Sequence, residues 1–156
     1  MLLNDEVELL GKVSLFCGLQ PSQLKLLAFT SQRIKFEKGE MLFNQNDPGD
    51  SAYVVLSGEA EVIVDNKGVN LVVAKLGENS IIGEIAILCD VPRTAGVRAA
   101  TDLETLCIEK EQMLKLLKEF PNMSIELMKV LAERLIATTA DLSKVKAQLV
   151  ALSDKK

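Results

Sequence analysis

The sequence contains no histidine and no tryptophan, a single tyrosine (Tyr53), and only four arginines, Arg33, Arg93, Arg98 and Arg134. Without histidine there are no Ser-His or Cys-His nucleophile pairs, and most catalytic zinc sites are excluded. The same absence weighs against a metal-dependent β-barrel enzyme of the cupin type, which holds its metal with histidines. No catalytic residue, metal site or cofactor is therefore expected. The three cysteines, Cys17, Cys89 and Cys107, are far apart and form no CxxC pair. They read as buried, reduced thiols, with a thiol redox sensor as the alternative.

Long apolar runs are missing too. No stretch of 18 uncharged apolar residues occurs, so no membrane span is expected. Met1 to Lys12 carries Asp5, Glu6 and Glu8 and lacks the basic and apolar parts of a secretory signal, which makes the cytoplasm the expected location. Eighteen basic residues face 22 acidic ones, for a net charge of −4. That balance argues against a sequence-independent grip on nucleic acid, which needs many phosphate contacts. It leaves open the binding of one small anion, which needs only one or two well-placed donors.

What is present is enough for one core. The chain has 156 residues, 48% of them hydrophobic, and reads as a single domain over 1–156. Residues 1–30 read as a helical lead-in, with Leu2, Leu3, Val7, Leu9 and Leu10 before Gly11 and a second helix starting near Pro21-Ser22. Residues 32–109 differ. Glycines at 39, 49, 58, 68, 77 and 83 are spaced by 10, 9, 10, 9 and 6 residues, with short β-rich runs between them. The runs are Arg33–Phe36, Met41–Asn44, Ala52–Leu56, Ala60–Asp65, Asn70–Leu76, Gly96–Ala100 and Glu104–Ile108. Regular turn residues between short strands indicate an antiparallel sandwich or barrel. Asn66-Lys67-Gly68 supplies a hairpin turn, since Asn and Gly tolerate positive φ.

Residues 110–152 return to helix. One short helix spans Lys110 to Glu119, and Phe120-Pro121-Asn122 breaks it, with Asn122 capping a long helix to about Leu152. Its apolar stripe is Met128, Leu131, Leu135, Thr138, Leu142, Val145, Leu149 and Leu152, separated alternately by three and four residues. This is a heptad seam with one polar member. A helix this long cannot bury its whole stripe against a small barrel. Residues 128–152 are therefore expected to pair with a second copy, the alternative being one amphipathic helix lying on its own domain.

The segment Gly83 to Ala95 breaks the strand pattern. Glu84 to Leu88 reads as a short helical turn, and Pro92-Arg93-Thr94-Ala95 leads into the next strand. A small phosphate needs backbone N–H donors, a positive charge and a hydroxyl. The start of a helix offers free N–H groups, and Gly83 allows close approach or an unusual φ. Arg93 offers a planar fork that matches two phosphate oxygens, and Thr94 adds a hydroxyl. Glu84 can accept hydrogen bonds from a sugar hydroxyl, as an acidic residue does at the ribose of dinucleotide sites. The residues alone also allow a plain turn glycine at 83, solvated charges at 84 and 93, or a loop salt bridge between those two.

The segment resembles the phosphate-binding cassette of the cyclic nucleotide-binding domain family, in which Gly-Glu-x-Ala or Gly is followed, several residues on, by Arg-small-Ala. Gly83, Glu84, Ala86, Arg93, Thr94 and Ala95 match it without insertion. Phe16-Cys17-Gly18-Leu19, Lys38-Gly39-Glu40, Asp47-Pro48-Gly49-Asp50 and Tyr53 to Gly58 extend the resemblance over most of residues 13–140. Ile82 stands where an aromatic is common, and Asn46 where a glycine is frequent, though Asn tolerates the left-handed region.

The resemblance implies a mainly β fold: an antiparallel jelly roll over 32–109 with flanking helices and a long C-terminal helix. It implies a sensor of cAMP, less readily cGMP, that signals through its C-terminal dimer helix to an unidentified protein. Glu84 would bind the ribose 2′-hydroxyl and Arg93 the cyclic phosphate. Thr94, with the backbone of Ala86 and Ala95, would complete the anion site, and Ile82 to Ile85 would pack near ribose and base. Arg134, Thr138 and Thr139 are similar to the stretch that meets the adenine in catabolite activators, although Thr138 can equally be a seam filler. The helix-turn-helix domain of those activators has no room after residue 143, so DNA binding by the chain as given is not expected. The competing reading is an interaction or dimerisation module that keeps the fold and binds no nucleotide.

Overall fold

The computed structural model describes residues 3–154. Met1, Leu2, Lys155 and Lys156 lie outside the described residues, and with them the first apolar position of the helical lead-in. Helix α1 (Leu3–Gly11), a 3-10 turn (Ser14–Phe16) and α2 (Pro21–Thr30) precede five strands. These are β1 (Gln32–Phe36), β2 (Met41–Phe43), β3 (Ser51–Ser57), β4 (Ala60–Asn66) and β5 (Val69–Leu76). Then come β6 (Ile81–Ile82), α3 (Glu84–Cys89), β7 (Gly96–Ala99) and β8 (Leu103–Glu109), and the chain closes with α4 (Lys110–Glu119) and α5 (Pro121–Asp154). The strands form two antiparallel four-stranded sheets, ordered β1-β8-β3-β6 and β2-β7-β4-β5. This is a jelly roll flanked by helices. No described helix is long and apolar enough to cross a membrane.

Alternation along the strands explains the layers. In β3, Ala52 and Val54 face the helices, while Tyr53 and Val55 face the interior of the roll. Ile81 and Ile82 of β6 divide in the same way. One core joins Leu10, Phe16, Leu27 and Leu116 to the outer face of the first sheet, and also takes in Met123 and Leu127 of α5. A smaller core of Val55, Ala60, Ile82, Val97, Ala99 and Leu103 fills the roll. Beyond Leu127, α5 buries no residue.

Several local expectations change. The β4–β5 hairpin carries positive φ at Lys67 (54°) and Gly68 (83°), not at Asn66, which ends β4. Two successive positive φ values make a turn whose twist suits a tight hairpin. Asn46 does adopt the left-handed region, at φ 73°. The long helix starts at Pro121 rather than behind an Asn122 cap, because proline is pre-set for the first helical position and needs no N–H there. Strand β6 goes unread in the sequence, since it is two residues long and exists through its pairing with Tyr53 and Val54. The cysteines are free, but Cys17 and Cys89 are exposed and Cys107 is half-buried, contrary to the expected burial. Cys17 follows the 3-10 turn and Cys89 ends α3, so both sit at element ends rather than on a core face.

Candidate functional site

The cassette is held by two close approaches. Gly83 stands at φ 84° immediately before α3, and a Cβ there would run into Arg93 Nη1. Gly49, in the loop before β3, has no room for a Cβ against Ala86 Cβ. That loop also fixes the backbone of Arg93. The Arg93 N–H donates to Asp47 O at 2.8 Å, and Arg93 O accepts from the Asn46 N–H at 2.8 Å.

The Arg93 side chain is fixed as firmly as its backbone. It is only 3% exposed. Nη1 donates to Gly83 O at 3.1 Å and Nη2 to Ser51 O at 2.7 Å. The guanidinium carbon lies 4.0 Å from the centroid of the Phe43 ring, a cation–π contact. Nε is buried and has no hydrogen-bond partner among the described residues. The facing carboxylate, Asp50 at 3.7 Å, is 85% exposed and screened by water. Burial pushes the Arg93 pKa below its ordinary range, against the opposing pull of Tyr53, Asp50 and Asp47. The guanidinium stays charged regardless. A buried cation with an unmatched donor costs free energy, and an incoming anion would offset it.

Glu84 is also buried, at 3% exposure. It does not pair with Arg93, as a loop salt bridge would require. Its partner is Arg134 of α5, whose Nη1 lies 2.7 Å from Glu84 Oε1, while Nη2 donates to Ile81 O at 2.6 Å. One arginine thus ties the long helix to the cassette. Thr138, one turn on, donates its hydroxyl to Arg134 O at 2.8 Å.

Between cassette and helix lies a cavity of about 400 Å³. Ile82, Gly83, Glu84, Ile85, Ala86, Arg93, Thr94 and Ala95 line one side of it, and Arg134 and Thr138 the other. Thr139, about 100° further round the helix, is exposed and is not in the lining. Sequence reasoning missed Phe43, Val73, Lys75 and Asp141, which also line the cavity. Helical spacing from Arg134 and Thr138 could have found Asp141. Nothing in the sequence marks Phe43. Another cavity, about 390 Å³ between the 3-10 turn and the start of α5, is of similar size but contains no buried charged side chain.

The model for the "Cyclic nucleotide-binding domain" family matches residues 33–120, more than half of the chain. The chain belongs to the cyclic nucleotide-binding domain family. Within it this domain is catabolite-activator-like. It is 27% identical to the CRP-like cAMP-activated global transcriptional regulator of Mycobacterium tuberculosis, over 87% of this chain and 61% of that protein. The Thermus thermophilus catabolite activator protein superposes with a TM-score of 0.73 at 30% identity, covering 85% of this chain and 62% of that one. A cAMP-binding acyltransferase from Mycobacterium smegmatis superposes with a TM-score of 0.75 at 31% identity, over 87% of this chain and 42% of that one. This chain thus spans less than two thirds of each of these relatives, and homologous domains occur in enzymes as well as in transcriptional regulators.

Proposed function

We propose that this domain binds a cyclic nucleotide, with cAMP the leading ligand and cGMP the alternative, and acts as a regulatory sensor without catalysis of its own. The observation that carries this reading is the buried Arg93, whose Nε has no partner, in the lining of a cavity large enough for a small ligand. Arg93 takes the cyclic phosphate together with the Thr94 hydroxyl and the backbone of Gly83, Ala86 and Ala95. Glu84 accepts from the ribose 2′-hydroxyl. Ile82 and Ile85 lie along ribose and base, and Arg134 and Thr138 meet the base from α5.

The reading includes a homodimer through residues 128–152. Leu135, Leu142, Val145, Leu149 and Leu152 on the heptad stripe are each more than half exposed. Burying such a stripe against a copy is the standard way to satisfy it. Thr139, turned away from its own cavity, reaches a base only across such a helix pair. The signal passes to an unidentified protein partner, and a cytoplasmic setting belongs to the same proposal.

A thermal-shift experiment with cAMP, cGMP and no ligand tests it. Ligand at 100 times its dissociation constant should add about 2.7 kcal/mol of stability. If neither nucleotide stabilises the protein, the sensor reading fails and the chain is an interaction module of the same fold.

A further inference from the structure

The wall that α5 presents to the cavity carries an unusual set of hydrogen-bonding groups. Arg134, Thr138 and Asp141 all line the cavity and lie at i, i+4 and i+7, on one helix face. At 1.5 Å per residue, Thr138 stands about 6 Å and Asp141 about 10 Å along the axis from Arg134. Arg134 is anchored at the ribose carboxylate Glu84, so these two mark successively greater distances from the sugar.

Two of the five Arg134 N–H donors on this wall are already committed, and so is the Thr138 hydroxyl proton. Arg134 uses Nη1 on Glu84 and Nη2 on Ile81 O. Thr138 donates its only hydroxyl proton to Arg134 O, which leaves its oxygen free to accept. Asp141 offers carboxylate oxygens that accept, and no hydrogen bond or ion pair holds it among the described residues. Beyond the sugar, the helix therefore shows two acceptors in a row and no free hydroxyl donor. The nucleobase edge that complements this pattern carries a donor. Adenine and guanine each have an exocyclic amino group, whereas unsubstituted purine has none.

We infer that Asp141 is a specificity-determining residue that selects cyclic nucleotides whose base bears an amino group, with the Thr138 oxygen accepting beside it. This inference rests on the cyclic-nucleotide reading of the site. A carboxylate at the base end also repels an anionic ligand as a whole. That repulsion acts equally on every cyclic monophosphate, so it cancels in a ratio of affinities.

The test is a ratio measured by calorimetry on the full chain. The ligands are cAMP and the 3′,5′-cyclic monophosphate of unsubstituted purine riboside, which differ only in the amino group. The wild type should bind cAMP about tenfold more tightly, the scale of one hydrogen bond to a charged group at a half-open site. Asp141→Ala should bring the ratio within about twofold, and Asp141→Asn, which keeps one acceptor oxygen, should fall between. Asp141 is exposed on a helix surface, so these variants fold. A ratio that stays the same in Asp141→Ala while both ligands still bind overturns the role of Asp141 and leaves the sensor reading standing. Failure of the wild type to bind any cyclic nucleotide overturns both.

Discussion

The two walls of the cavity are built in opposite ways. On the cassette wall, Arg93 is clamped through its backbone by Asn46 and Asp47 and through its side chain by Gly83, Ser51 and Phe43. On the helix wall, Arg134 is only partly buried, and Thr138 and Asp141 are exposed. Ile136 beside them is 70% exposed. The first wall holds its charge in position before any ligand arrives, which lowers the ordering cost of binding. The second is held to the first by one ion pair and one carbonyl contact, both made by Arg134. A ligand that touches both walls favours whichever arrangement lets it do so, since populations shift only through differential contacts.

The largest expected effect comes from breaking the built wall. Arg93→Ala should weaken cAMP binding by about 2–5 kcal/mol, the scale for truncating one partner of a buried charge pair. Calorimetry checks it, and unchanged affinity would sink the role assigned to Arg93. Next comes the open wall. A fully buried leucine contributes about 1.5–3 kcal/mol, so Leu142→Glu combined with Leu149→Glu should abolish pairing of the long helices. Sedimentation should then show a 17.0 kDa species in place of one twice that mass. Equal masses for wild type and variant would remove the dimer from the proposal. A finer probe of the built wall is Phe43→Leu, which keeps an apolar side chain and removes the ring under the guanidinium. It should cost about 1–2 kcal/mol of ligand affinity, and Phe43→Tyr should restore most of it.

The smallest effect serves as a control outside both walls. Arg33 hydrogen-bonds Glu104 across β1 and β8 and holds its carboxyl below the usual carboxylate range. A carboxylate with a lowered folded pKa contributes stability above its unfolded pKa and loses it as pH falls through the folded value. Between about pH 5 and pH 3 the wild type should therefore lose urea resistance more steeply than Glu104→Gln. The difference should stay under about 1 kcal/mol. Ligand affinity at neutral pH should not change, and a change would mean that the sheet ends are coupled to the cavity.

How much of this was legible in the sequence follows the same division. The cassette is continuous in the chain, so Gly83, Glu84, Arg93 and Thr94 could be picked out as a set, and the glycine spacing gave away the turns between strands. Phe43 and Ser51 could not be read. They meet Arg93 across 50 and 42 residues, from strands that belong to the two different sheets, and no local period records that. The pairing of Glu84 with Arg134 is illegible in the sequence for the same reason, and the loop salt bridge that the residues also allow does not form. Arg93 is ten residues away along the chain, yet Arg134, 50 residues away, makes the bond. The heptad of α5 was readable because a helix repeats its own pattern. Asp141 was passed over because it is polar and lies one step off that stripe.

The joint between α4 and α5 gives the molecule a mechanical property. Phe120 alone separates the two helices, and α5 is buried only at Met123 and Leu127 near its start. From Met128 to Asp154 the rod extends about 40 Å at 1.5 Å per residue. A tilt of about 10° about its seated end would sweep the tip through about 7 Å, over a lever of that length. Arg134 grips the rod less than a third of the way out. A displacement of about 1 Å at that grip would reach the far end enlarged about fourfold, by the ratio of the two arms. The chain thus has the proportions of a pointer on a short pivot, with the cavity beside the pivot.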